Sequence, residues 1–247
     1  SSRNLDSFFM SDGQIRQSFK NGMTSSHADY GIIEGVRGLY EGISPTNDIG
    51  STSSIAKALN SPVILIINSR SLVRSAAAMT LGFKALDSQI DIEGVILKEA
   101  VEKLANTRVL GGIERDNSIS MEQRHLGLIP AVEQERISGL VEKWGELIRE
   151  NIDLDALMEI MDNSNPIINE YEPIWSPNKT KHKTRIAVPF DEAFNFYYKE
   201  NLEALEYNNA KIEYFSPIHD EQLPSVDALY IGGGYPEIFK ILQCLNQ

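Results

Sequence analysis

Glu34 stands in Ile32-Ile33-Glu34-Gly35-Val36-Arg37-Gly38-Leu39-Tyr40-Glu41-Gly42, a short apolar stretch running into a glycine-rich turn. The apolar residues predict a strand, and a carboxylate at the carboxyl end of a parallel strand lies where open α/β sheets bind ligands. If the ligand is a nucleotide, the task of that carboxylate is to hold Mg²⁺. The alternative is an acidic residue in a tight turn. Asp29, just before the strand, reads as a turn or cap residue. Near the other end, Val226 to Ile231 leads into Gly232-Gly233-Gly234-Tyr235-Pro236-Glu237. Glycines after a strand would by themselves serve any tight turn. Cys244 is the only thiol. It lies in helix-like Ile241-Leu242-Gln243-Cys244-Leu245, without the sharp strand-to-helix turn that presents a nucleophile, and reads as a buried bystander. His182 and His219 lie in loops without a partner at metal or triad spacing and read as surface residues. Arg124-His125 reads either as the anchor of a strand end or as a functional pair.

These groups need a scaffold, and the hydropathy pattern supplies one. From Ser1 to about Met161, apolar runs alternate with amphipathic or alanine-rich stretches, the signature of βαβ units and a parallel sheet. Strands are predicted at 62–67, 92–97 and 107–111, a helix from Ser75 onward and another from Ala131 to Glu150. Asp162 to Thr184 turns to Asn, Pro, Ser and Lys and reads as a linker. A second α/β unit follows, with strands at 185–189, 210–215 and 226–231 and a helix from Phe194 to Tyr207.

Composition narrows the class. The 247 residues, 42% of them hydrophobic, are enough for a full core. A formal charge of −12 argues against a nucleic-acid partner, because a phosphate-binding surface needs clustered Lys and Arg. For an anionic small molecule, local cations such as Arg3, Arg37, Arg70, Arg74 and Arg124 would have to act against the global field; each reads otherwise as a surface ion pair. No apolar run approaches a membrane span and no signal peptide opens the chain, so a soluble cytoplasmic protein is expected, and a single cysteine fits a reducing compartment.

Ser2-Arg3-Asn4-Leu5-Asp6, the Glu34 segment, Arg124-His125-Leu126-Gly127-Leu128 and Gly232 to Glu237 resemble, in this order, the glutamine-dependent a,c-diamide synthases acting on cobyrinate or nickel sirohydrochlorin. The resemblance implies a P-loop NTPase-like, dethiobiotin synthetase-like domain over 1–161, the linker 162–184, and the first part of a class I glutamine amidotransferase-like domain over 185–247. It implies a carbon–nitrogen ligase of cobalamin biosynthesis. ATP would activate a carboxylate as an acyl phosphate with Mg²⁺ at Glu34. Ammonia would come from glutamine, the backbone N–H groups of Gly233 and Gly234 forming an oxyanion hole. Asn4, Asp6, Tyr40 and Glu41 would face the tetrapyrrole, with Tyr40 offering a flat ring; Asn4 and Asp6 read alternatively as a helix N-cap. Members commonly carry Asp where Glu41 stands, so its role stays open. A homodimer is a further expected partner arrangement.

The resemblance also implies a P-loop upstream and a nucleophilic cysteine and histidine downstream, so this chain alone is expected to be inactive. Leu97 runs directly into helical Lys98 to Leu104, where a connection of a few residues is normal. Residues are therefore expected to be missing between Leu97 and Lys98. Two other readings are the same reaction on the nickel macrocycle and a non-catalytic binding protein of this fold.

Overall fold

The computed structural model describes residues 2–68, 72, 74–97, 106–114, 134–175 and 183–239. They divide into two compact units. The first draws on residues between Leu5 and Glu172. Its helix α1 (Asp12–Ser26) starts with a capping box, in which Ser11 Oγ accepts from Gln14 N at 3.3 Å and the Gln14 side chain accepts from Ser11 N at 3.0 Å. Helix α2 (Thr52–Leu59) is capped by Ser51 and ends at left-handed Asn60. Their facing apolar residues Ile15, Ile55, Ala58 and Leu59 form a small core. Full burial of each larger side chain stabilises by roughly 1.5–3 kcal/mol.

Strands β1 (Val63–Ile66), β2 (Ile92–Ile96) and β3 (Arg108–Gly111) form a parallel sheet in that order, and helix α3 (Arg74–Leu86) lies between β1 and β2 in sequence. Alternation along β1 sorts its side chains. Leu65 and Ile67 enter a core with Ala76, Ala77 and Val95, whereas Ile64 packs with Ile96 and Leu110 against helix α5 (Leu154–Asp162). Helix α4 (Gln134–Asn151) precedes α5, which Asp153 caps through a 2.8 Å bond from Ala156 N. Residues 163–172, expected as linker, are irregular but bound to α1. Arg16 Nε donates to Glu170 O at 2.7 Å, and Glu172 N donates to Gly13 O at 3.2 Å.

The strand expected at Ile32–Glu34 is not formed. This stretch is irregular, with Ile33 packed on the α1–α2 core and Ile32 and Val36 exposed. A strand exists only by pairing, and among the described residues β1 pairs with β2 alone.

The second unit contains Ser2–Asn4 and the described residues from Pro173 on. Strands β4 (Thr184–Pro189), β6 (Ala210–Phe215) and β7 (Ala228–Leu229) form a parallel sheet in the order β6-β4-β7, and β5 (Phe194–Phe196) pairs antiparallel with β8 (Gly233–Gly234). Helix α6 (Lys199–Tyr207) begins five residues later than the expected Phe194 start. Phe194-Asn195-Phe196 favours a pleated surface, and pairing with the glycines outweighs helical spacing there. No helix among the described residues is long and apolar enough to cross a membrane.

Arg3 makes the amino terminus part of this unit, where 1–161 was expected to be a single domain. Its guanidinium donates to Glu203 at 2.6 and 2.7 Å and to Glu200 at 3.3 Å, and the Arg3 and Glu200 side chains are only 7% and 8% exposed. Arg3→Ala would take the cation away from the buried Glu200 carboxylate and from Glu203. The expected loss is roughly 3 kcal/mol. In a Trp144→Phe background, fluorescence of Trp175, which lies against Tyr207, should show a lower urea midpoint. Arg3→Lys should recover only part, because an ammonium cannot make the two-pronged contact. An unchanged midpoint for Arg3→Ala would refute the role.

Candidate functional site

In the sheet of the second unit the chain passes from central β4 to β6 on one side and then to β7 on the other. Strand order reverses between β4 and β7, and the carboxyl ends there are the natural ligand crevice of an open α/β sheet. Three loops surround it, at 190–193, 216–220 and 230–235.

Asp191 ties the first two together. Its Oδ1 accepts from Ala193 N at 2.8 Å and Phe194 N at 3.1 Å, and its Oδ2 from Ser216 Oγ at 2.8 Å and Ile218 N at 3.0 Å. A carboxylate holding four donors is a brace. His219 is exposed, as expected, but has a partner that spacing did not reveal: Nε2 lies 2.9 Å from the Glu192 carboxylate, 27 residues away.

The glycine loop is held by β5. Tyr235 N donates to Ala193 O at 2.9 Å, so the neighbouring Phe194–Gly234 pair is of the non-hydrogen-bonded kind, with the Gly234 N–H turned away from β5. A Cβ on Gly234 would lie 1.9 Å from Ala193 O, a contact that only glycine avoids. Gly233 is the more exposed of the two, and both sit in strand β8 instead of a free loop. Tyr235 is buried edge-on against Phe196 at 5.3 Å.

The first-unit candidates do not converge. Glu34 is exposed on irregular backbone, and the described residues contain no group of three or more His, Cys, Asp or Glu able to hold a metal ion. Tyr40 was expected to offer a flat face to a ring; instead it stacks on Phe83 at 5.8 Å and donates its hydroxyl to Phe83 O at 2.8 Å. A half-buried phenol needs an acceptor, and α3 provides it. Glu41 is exposed beside Gly38. Asp6 caps its own turn, Oδ1 accepting from Phe8 N at 2.8 Å, and the N-cap of α1 is Ser11, not Asp6. Asn4 is exposed and groups with the second unit, whereas Asp6 belongs to the first. Arg70, Lys98, Arg124, His125, His182 and Cys244 lie outside the described residues.

An open hollow of about 540 Å³ in the first unit is lined by Asp12, Asp48, Asp91, Lys57 and Gln89 among others. Lys57 already pairs there with Asp48 and with Asp87, the latter at 2.8 Å, so the hollow offers an anionic phosphate no spare cation among these residues.

Residues 185–246 match the CobB/CobQ-like glutamine amidotransferase domain, which places the β4–β7 crevice inside that match. A cobyrinate a,c-diamide synthase of Methanosphaera stadtmanae is 95% identical over 97% of this chain and 56% of its own length. Over the length it spans, the chain belongs to the cobyrinate a,c-diamide synthase family. Synthases of that name from Methanothermobacter thermautotrophicus and Methanobrevibacter smithii are each 58% identical over 96% of the chain, covering 56% and 55% of their own lengths. The chain thus spans about half the length of the curated relatives it matches. No solved structure matches it. The alignment with the Methanosphaera synthase runs over 252 positions against 247 residues here, so that relative carries residues without counterpart in this chain.

Within this family of amidotransferase type, Tyr197 and Asp191 are the residues that spacing could not single out. Both work through hydrogen bonds to backbone far along the chain. The aromatic run Phe194 to Tyr198 is the one local signal, and it pointed to a helix.

Proposed function

We propose that the protein containing this chain converts the a and c acetate side chains of cobyrinate to amides, with glutamine as nitrogen donor and ATP as cosubstrate. The observation that carries the reading is 95% identity over 97% of the chain to a synthase of that name.

The second unit would release ammonia from glutamine. Hydrolysis through a thiol places negative charge on the former amide oxygen, and a backbone N–H turned into the crevice at the β4–β7 reversal, as Gly234's is turned from β5, suits that charge. N–H groups alternate along a strand, so the Gly233 amide faces β5 and Gly234 would be the donor of the pair. The first unit would bind ATP and the tetrapyrrole in its P-loop NTPase-like sheet. ATP, when bound, supplies the phosphoryl group that makes the acetate carboxylate reactive. One carboxylate with phosphate oxygens and water is an ordinary Mg²⁺ environment, and exposed Glu34 fits the single protein ligand. Asn4, a donor, would suit a carboxylate arm of the macrocycle and Asp6, an acceptor, a metal ion, while Glu41 keeps no assigned role; Tyr40 would hold the Glu41 turn against α3.

The test is an assay of the full-length protein with cobyrinate, ATP, Mg²⁺ and glutamine. Mass spectrometry of the macrocycle should show two acetates converted to amides, with glutamate and phosphate released in step. A nickel sirohydrochlorin arm runs in parallel. Amidation of the nickel macrocycle alone, or binding of cobyrinate without amidation, would sink the proposal.

A further inference from the structure

Between β4 and β7 the ladder breaks in an informative way. Asp227 N donates to Arg185 O at 2.9 Å and Tyr230 N to Ala187 O at 2.9 Å. In a parallel pair the next rung lies two residues on, from Gly232 N–H to Pro189 C=O. That rung is not direct. The Tyr197 hydroxyl is inserted into it, donating to Pro189 O at 2.6 Å and accepting from Gly232 N at 3.1 Å. Pro189 has no N–H with which to answer, so the ladder cannot continue past this point without the phenol.

The insertion has two consequences. It holds the ends of β4 and β7 a hydroxyl's width apart where the crevice opens, and it fixes the first glycine of the loop. The ring itself occupies the place a side chain at 232 would need, since a Cβ there would meet Tyr197 Cε1 at 2.3 Å. Packing locks the phenol in turn: Tyr197 meets Tyr230 edge-on at 5.8 Å and Phe190 at 6.2 Å. Burial pushes its pKa above that of a free phenol, so the hydroxyl remains a donor into the alkaline range.

We infer that Tyr197 is a positioning residue for glutamine hydrolysis: its hydroxyl, bridging Pro189 and Gly232, sets the orientation of the Gly234 amide, which lies two residues beyond Gly232 on the same side of the strand and meets the developing oxyanion. The inference rests on reading this crevice as the glutamine-hydrolysing site. Donors in such a site act through fixed placement, and displacing them by about 1 Å costs on the order of 10²-fold in rate.

The experiment uses the full-length protein. Tyr197→Phe should lower kcat for glutamate release roughly ten- to a hundredfold while KM for glutamine stays within about threefold. An aldehyde analogue of glutamine, which adds to the nucleophile as an anionic tetrahedral adduct, should bind more weakly by the same factor. Amidation supported by free ammonia should be unchanged. Tyr230→Phe is the control, since its hydroxyl accepts from Asn201 at 3.2 Å and, among the described residues, makes no hydrogen bond to Gly232 or Pro189. It should hydrolyse glutamine like the wild type. Difluorotyrosine at 197 keeps ring and hydroxyl but ionises at lower pH, so hydrolysis should acquire an alkaline loss absent from the wild type.

A kcat within twofold of wild type for Tyr197→Phe, equal losses in Tyr230→Phe, or no new alkaline loss with difluorotyrosine would each overturn the inference while leaving the glutaminase reading standing. A wild-type protein that releases no glutamate would overturn both.

Discussion

Gly234→Ala in the full-length protein should lower glutamine-dependent amidation by at least about 10²-fold, while amidation supplied with ammonium salt proceeds at close to the wild-type rate. The first half follows from contact. The added methyl would fall 1.9 Å from the Ala193 carbonyl oxygen, a backbone atom that cannot rotate away, so β8 must leave β5 and carry the Gly234 N–H with it. The second half follows from the division of labour proposed above, in which the acetate is activated in the first unit and needs only a nitrogen nucleophile. Steady-state rates with each nitrogen source decide the matter. Equal losses with glutamine and ammonia would mean that the glycine loop serves the synthetase chemistry or the stability of the whole protein.

Glu34→Gln should have the opposite signature. Amidation should fall about a hundredfold or more with either nitrogen source, since a Mg²⁺ ligand stabilises phosphoryl-transfer charge by several kcal/mol, while glutamate release stays measurable. Exposure makes this a clean test: a surface substitution of equal size changes stability by about 0.5 kcal/mol or less, so lost activity cannot be put down to unfolding. Raising Mg²⁺ should restore part of the rate. Undiminished amidation at limiting Mg²⁺ would remove Glu34 from the metal site.

Several elements were legible in the chain because their physics is local. Val63–Ile66 and Ile92–Ile96 are short runs rich in β-branched residues, long enough for a strand and too short for a helix, and both lie within a residue or two of where hydropathy put them. Thr184–Pro189 and Ala210–Phe215 followed in the same way. The order of motifs from Ser2 to Glu237 was enough for the family, since that depends on residue identity alone.

Tertiary structure decided the rest. Ile32-Ile33-Glu34 has a strand's composition but no pairing neighbour among the described residues, and Phe194-Asn195-Phe196 has helical spacing but finds β8. Tyr40 was assigned outward by its motif and inward by an acceptor 43 residues away. Asp191, Arg3 and Tyr197 act on atoms that hydropathy and spacing do not encode: a loop amide, a helix carboxylate, an interrupted rung. A side chain's periodicity reports which face is apolar. Where its polar end finds a partner depends on which distant backbone the fold brings within about 3 Å, and for Tyr197 that is Gly232, 35 residues further along the chain.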